Sequence, residues 1–296
     1  MLCGCAGGKD SIDITKPVTG AEASNAAKAY EKGLQEKKDQ NPMEATRFFE
    51  YVRNNFPYSQ YASLAQLAIA DMAFERDDWT HAATQYKDFV KGHPSHPKAD
   101  YAAFRVGLAY FNDRPSDVFL LPPSHEKDQA PVRQALEALN RFVNSYPKSD
   151  YVPKARAMIA DCRELLAAHE RYVAEFYWKR GQWRGAAGRY MALADTYGDL
   201  RGGKVHGESL WRAAQAYRNA NSPADERKTL QRLVQEAPQD PHRAEAEALL
   251  RKLPANAPAT KPTDERAPDT KPPAQATPPA RPETRPPVQP LTPPGG

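Results

Sequence analysis

Five times along the chain the same spacing of side chains recurs. Ala45, Phe49 and Val52 precede Pro57; Ala82, Tyr86 and Phe89 precede Pro94; Ala135, Leu139 and Phe142 precede Pro147. Ala186, Tyr190 and Leu193 precede Gly198, and Glu226, Leu230 and Leu233 precede Pro238. Steps of four and three put one compact or polar residue and two large apolar ones on a single helical face. The first residue lets a neighbouring helix come close, the large pair fills the space beside it, and the proline or glycine ends the helix. A partner helix precedes the pattern. Leu67, Ala70, Ala73 and Phe74 match Ala103, Val106, Ala109 and Tyr110, and again Leu210, Ala213, Ala216 and Tyr217.

Helix starts are marked as well. Asn41-Pro42-Met43-Glu44 offers an Asn cap, a first-turn proline and an acid in the first turn, and Ser222-Pro223 and Asp240-Pro241 repeat the cap-then-proline device. Pro57 and Pro94 stand 37 residues apart, a tetratricopeptide-like period. The expectation is an all-α, tetratricopeptide-like superhelical solenoid over 21–253. Its five helix pairs fall at about 22–57, 60–95, 98–148, 152–199 and 205–238, with a capping helix at about 241–252. Two pairs depart from the plain period. The third carries an insert at about 113–130 containing the apolar run Val118-Phe119-Leu120-Leu121, the kind of long loop that is more often packed or functional than idle. The fourth opens with a stretch free of Gly and Pro from Lys154 to Arg180, striped by Met158, Cys162, Leu165, His169, Tyr172 and Phe176. At 1.5 Å per residue that helix runs about 40 Å, longer than one repeat needs, and is expected to stiffen the junction between the two halves of the solenoid.

Composition changes this picture at both ends. Of the 28 prolines, 14 lie between Pro254 and Pro294, in a segment whose only large aliphatic residues are Val288 and Leu291. It cannot bury enough apolar surface to offset the entropy of ordering, so 254–296 is expected to be a disordered, polyproline-prone tail. Residues 1–20 form a linker that begins Leu2-Cys3-Gly4-Cys5-Ala6-Gly7-Gly8. This resembles a bacterial lipobox, with Cys5 the candidate for acylation, although the charged and apolar regions of a signal peptide do not stand ahead of it. The net charge of +4 is spread without blocks of like sign, which argues against a nucleic-acid footprint. Three cysteines cannot make a disulfide framework, and Cys162 reads as a small buried hydrophobe.

Candidate chemistry is sparse. Gly202-Gly203-Lys204 lacks the spacing of a phosphate loop, and convergent titratable groups of a catalytic site are not found, so the chain reads as a binding scaffold and not an enzyme, with no cofactor. His93 and His96 flank a proline turn without a third ligand, which makes a metal site a poor reading, and His169 on its apolar stripe reads as a satisfied core residue. Tyr30, Tyr61, Trp79 and Tyr101 are placed at helix starts or turns and are the candidates to line a groove for extended segments.

Several longer runs then resemble a known family. Tyr146-Pro147-Lys148-Ser149-Asp150-Tyr151, the stretch Leu166-Ala167-Ala168-His169-Glu170-Arg171-Tyr172-Val173-Ala174-Glu175-Phe176-Tyr177-Trp178-Lys179-Arg180-Gly181, and His93-Pro94-Ser95-His96-Pro97 leading to Asp100-Tyr101-Ala102 and Gly107-Leu108-Ala109-Tyr110-Phe111 are similar to segments of the BamD/ComL outer-membrane assembly lipoproteins. Asn55-Phe56-Pro57-Tyr58-Ser59 is similar to the first proline turn of that family. The resemblance implies a scaffold held by a lipid on Cys5 at the periplasmic face of the outer membrane. Its implied partners are the last POTRA domain of the β-barrel insertase, unfolded barrel proteins and other assembly lipoproteins. It makes Arg189, beside Gly188 where the family has Asn, the candidate for an ion pair with the insertase; otherwise Arg189 is an ordinary solvated charge. Two alternatives stay open: another periplasmic tetratricopeptide adaptor, such as one coordinating envelope constriction with wall synthesis, and a cytosolic chaperone adaptor.

Overall fold

The computed structural model describes residues 22–117 and 122–254. The Pro-rich segment from 255, Cys3, Cys5 and the insert residues 118–121 lie outside the described residues. Among the described residues there are eleven α-helices and no strand. They are α1 (Glu22–Lys38), α2 (Pro42–Asn55), α3 (Gln60–Glu75), α4 (Trp79–Gly92), α5 (Ala99–Asn112), α6 (Ala130–Ser145), α7 (Val152–Lys179), α8 (Trp183–Tyr197), α9 (Lys204–Asn219), α10 (Pro223–Glu236) and α11 (Arg243–Lys252). Two compact units result: the described residues up to Tyr172 together with Ala192–His206, and Val173–Met191 together with the described residues from Gly207 on.

The repeated spacing is the core. Ala45, Phe49 and Val52 on α2, Ala82, Tyr86 and Phe89 on α4, and Ala135, Leu139 and Phe142 on α6 are all buried. So are Ala186, Tyr190 and Leu193 on α8, and Glu226, Leu230 and Leu233 on α10. In the first unit each helix packs on the next, from α1 through α6, and α1 also touches α3, which is the layering of tetratricopeptide pairs. In the second unit α10 packs on α11.

Two kinds of turn alternate, each with a chemical cause. Within four of the five pairs the first helix ends in a left-handed residue: Gln40, Asp77, Gly181 and Asn221 all have φ between 50° and 69°. The following amide reaches back five residues, Asn41 to Glu36, Asp78 to Ala73, Gln182 to Tyr177 and Ser222 to Tyr217, which is the Schellman closure. Between pairs, the second helix ends at Phe56, His93, Tyr146 and Ala237, each with φ near −130° and ψ between 50° and 63°. Each of these four stands directly before a proline, whose ring pushes the preceding residue out of the α region.

The caps differ from the sequence expectation. Asn41 and Ser222 occupy cap positions but their side chains do not cap; Asn41 Nδ2 donates to Glu36, and the Ser222 hydroxyl accepts from Arg184. Ser59 and Asp78 do cap, accepting from the amides of Tyr61 and His81. The closing helix begins at Arg243 instead of Pro241, because Asp240 Oδ1 accepts from the His242 amide and holds that stretch in a turn. On α7 the buried positions are Val152, Ala155, Met158, Cys162, Leu166, Ala167, Val173 and Ala174, whereas Leu165, His169, Tyr172 and Phe176 are only half-buried. Burial pushes the Cys162 thiol up to about 11, so it stays protonated and inert at neutral pH.

The described part of the insert is packed. Gln129 is buried and its side-chain amide donates to the carbonyls of Ser124 and Lys127, while Asp117 accepts from the Ser124 amide at 2.6 Å. His169 Nδ1 donates to the His125 carbonyl at 2.7 Å, which satisfies that ring and ties the insert to α7.

Candidate functional site: an aromatic face around Asp71

The first helices of the first three pairs bring three of the four candidate aromatics onto one side of the first unit. Tyr30 lies in the middle of α1, not at its start, and its ring is 5.7 Å from that of Tyr61, the second residue of α3. Tyr101, near the start of α5, lies 6.0 Å from Tyr151, which in turn stacks on Phe104 at 4.9 Å. Trp79 opens α4 and meets Phe74 of α3 edge-on at 4.8 Å, and Phe74 lies 6.5 Å from Tyr86. Tyr30, Tyr61, Trp79 and Tyr101 are all half-buried.

Asp71 ties these rings together. Its Oδ1 accepts from the Tyr86 hydroxyl and, at 2.8 Å, from the Tyr101 hydroxyl. Arg105 completes the knot: its Nη2 is 3.7 Å from Asp71 Oδ1, its Nε donates to the Tyr86 oxygen at 2.9 Å, and its guanidinium lies 3.6 Å from the centre of the Phe74 ring. The side chains of Arg105 and Asp71 are 17% and 25% exposed, so this ion pair is largely shielded from solvent. Burial, reinforced by the Asp71 carboxylate, raises the phenols of Tyr30, Tyr86 and Tyr101 above the usual tyrosine value. All three are therefore neutral hydrogen-bond donors at physiological pH.

The sign of that shift gives a measurable consequence. Tyrosines held protonated in the folded state contribute fully below about pH 10, their unfolded value, and stability falls as pH rises above it because the unfolded chain releases protons first. Each such group adds about 1.4 kcal/mol per pH unit to the slope. Tyr101→Phe loses one hydrogen bond at neutral pH, yet its unfolding free energy should decline less steeply between pH 10 and 11 than that of the wild type. Chemical denaturation across that range checks this.

Arg189 belongs to the second unit. It is exposed on α8, which runs unbroken through Gly188, a residue with open space where a Cβ would stand. Its neighbour Tyr190 is buried, 6.3 Å from Trp178, and Trp178 meets Trp183 edge-on at 5.2 Å. Arg212 lies 5.4 Å from the Trp178 ring. The turn histidines are accounted for locally: His93 Nε2 lies 3.1 Å from Gln66 Oε1, and both rings pack on Phe89. Among the described residues no group of three or more His, Cys, Asp or Glu could hold a metal ion, and no helix is long and apolar enough to cross a membrane.

Sequence reading passed over Asp71 and Arg105. A signal was present: Asp71 is the only charge inside the apolar stretch Ala62–Phe74, and Arg105 is the only charge between Tyr101 and Asn112. Lone opposite charges on two apolar helices of neighbouring repeats are candidates for each other.

Residues 22–233 match the family described as outer membrane lipoprotein, YfiO. The outer membrane protein assembly factor BamD of Neisseria gonorrhoeae is 30% identical over 209 residues, covering 69% of this chain and 77% of that protein. The BamD proteins of Caulobacter vibrioides and Haemophilus influenzae are 28% and 25% identical, each alignment covering 73% of this chain, and 66% and 79% of the respective relatives. The match begins at the first residue of α1 and ends within α10, so it spans all five helix pairs, and this chain belongs to the YfiO, or BamD, family of outer membrane lipoproteins.

Proposed function

We propose that this chain is a non-catalytic docking scaffold of the machinery that assembles β-barrel proteins into the bacterial outer membrane. The observation that carries the reading is the family match across all five helix pairs, with relatives named as outer membrane protein assembly factors. In this reading Cys5 carries the lipid that holds the chain at the periplasmic face of the outer membrane, where several acyl chains together make a durable anchor. The face bearing Tyr30, Tyr61 and Tyr101 receives an extended segment of an unfolded barrel protein. The half-buried phenols of Tyr30 and Tyr61 offer both an apolar flank and a donor hydroxyl, whereas the Tyr101 hydroxyl is already given to Asp71 and that ring offers its apolar flank. The mechanism is positional: the scaffold holds a substrate segment while the insertase acts, and no bond is made or broken.

Arg189 is the assigned contact to the POTRA domain of the insertase. Reversing it in Arg189→Glu should weaken binding to the insertase's periplasmic domains by about tenfold or more, mostly through a faster off-rate if the arginine is buried by the partner. Arg189→Lys should fall between the two, because lysine keeps the charge and loses the planar fork. Surface plasmon resonance with both purified partners reads this directly. Equal affinity of all three proteins would remove Arg189 from the interface, and no affinity of the wild type for the insertase would remove the proposed role.

A further inference from the structure

The first unit carries a second concavity that the aromatic face does not use. Between α4 and α6, floored by α5, lies a cleft of about 320 Å³ that is open on one side. Val90, Val106 and Phe142 contribute to its apolar lining, and Lys87, Lys91 and Arg141 stand on its walls. No aspartate or glutamate lines it. Ala103 and Val106 of α5 border this cleft, whereas Tyr101 and Arg105 belong to the aromatic face. At about 100° per residue these two pairs point in nearly opposite directions from the helix axis, so the cleft and the aromatic face are separate surfaces.

Two of its three charges stand outside any ion pair. Among the described residues neither Lys87 nor Lys91 has a carboxylate within ion-pair distance; Lys87 instead donates to the Tyr110 hydroxyl at 2.8 Å, which fixes its position. Arg141 pairs with Glu137 one turn back, but both side chains are about two-thirds exposed, a pair of the kind that exchanges readily for a better partner. Three cations around an apolar floor select an anionic amphiphile. Their arrangement selects further. Lys87 and Lys91 stand one turn apart on one wall, about 6 Å along the axis, and Arg141 faces them from the other wall. A lipid headgroup calls for cations converging on one point, whereas two cations one turn apart on one wall match carboxylates at i and i+4 on a helix lying along it, with Arg141 opposite for a third.

We infer that this cleft docks a short acidic amphipathic helix of a partner protein, its apolar side chains on the half-buried Val90, Ala103 and Ala138 and its glutamates or aspartates against Lys87, Lys91 and Arg141. This is a binding surface additional to the aromatic face and to Arg189, and it does not depend on either.

The test uses the full chain and a fluorescein-labelled synthetic helix with leucines at i, i+3 and i+7 and glutamates on both flanks, followed by anisotropy. The wild type should bind it, more weakly as salt rises. Lys91→Glu/Arg141→Glu, which alters only exposed side chains, should bind at least tenfold more weakly while melting within a few degrees of the wild type. Tyr61→Ala, on the other surface, should bind like the wild type, which separates this site from the proposed substrate face. Equal binding of a peptide with glutamine at every glutamate position would overturn the charge argument, and unchanged affinity of the double variant would overturn the location. Binding to phosphatidylglycerol vesicles that requires Lys91 and Arg141, without binding of the peptide, would make the occupant a lipid and overturn the helix.

Discussion

Asp71→Ala should lower the unfolding free energy by about 3 kcal/mol, since hydrogen bonds to a charged acceptor contribute about 1.5–3 kcal/mol each and the two tyrosine bonds share one acceptor and are not fully additive. The carboxylate oxygen accepts from Tyr86 and Tyr101 and faces Arg105, so its removal strands two part-buried hydroxyls and a guanidinium whose side chain is only 17% exposed. Asp71→Asn keeps an acceptor for the tyrosines and loses the charge opposite Arg105; about half the penalty is expected. Urea unfolding followed by circular dichroism separates the two, with wild type, Asn and Ala in descending order of stability. If Asp71→Ala unfolds at the wild-type midpoint, the knot is not holding α3, α4 and α5 together. The same variant bears on binding, because Asp71 acts as a positioning residue for Tyr101. A loss of affinity for a substrate strand in Asp71→Asn, at a temperature where it is fully folded, would separate positioning from stability.

The second large effect lies where α5 meets α6. A Cβ added to Gly107 would come within 2.5 Å of a Leu139 methyl and 3.3 Å of the α6 backbone, and Leu139 itself is completely buried. Leu139→Ala should cost about 3 kcal/mol through lost burial and the cavity left behind. Gly107→Ala on the wild-type background should cost about 1 kcal/mol, because crowding against an immobile Leu139 outweighs the gain in helix propensity. On the Leu139→Ala background the sign should reverse. The new methyl then enters the vacated space and the propensity gain of about 1 kcal/mol is realised. A double-mutant cycle from chemical denaturation measures the coupling, expected at about 2 kcal/mol. Additive penalties would mean that the two helices move apart freely and that Gly107 is not there for close approach.

These two sites mark the boundary of what the sequence reveals. The recurring Ala, Phe/Tyr/Leu and apolar triplets are legible because each sits on one helix, and the fixed steps of four and three are set by helical geometry alone. The prolines after Phe56, His93, Tyr146 and Ala237 are legible for the same reason, since they act on the residue before them. Asp71 and Arg105 are different. Their pairing joins helices from two repeats, and spacing along one helix carries no information about which neighbour a lone charge meets. Gly107 reads as an ordinary helix-weakening residue until Leu139 is seen across the gap. The left-handed closures were hidden because three of the four are made by Gln40, Asp77 and Asn221, where no glycine announces them. Among the candidate groove residues, aromatic identity and repeat position suggested Tyr30, Tyr61, Trp79 and Tyr101, but they misplaced Tyr30, which lies mid-helix, and could not tell that Trp79 sits apart from the other three. The hydrogen bonds that tie Tyr101 to its neighbours came only with the fold.

The cationic cleft was likewise invisible in one dimension. Lys87 and Lys91 are i and i+4 on α4, but Arg141 comes from α6 and the floor from α5. Only the stacking of two repeats sets the three charges around one apolar floor.

The substrate-docking reading is tested most directly by placing a photo-crosslinking phenylalanine analogue at Tyr61, on the aromatic face, or at Glu50, an exposed residue of α2. Each protein is mixed with the terminal-strand peptide of an outer-membrane barrel protein and irradiated. Strong crosslinking from position 61 with only background from position 50 is the expected result. Equal yields from both positions, or crosslinking from position 50 alone, would contradict it.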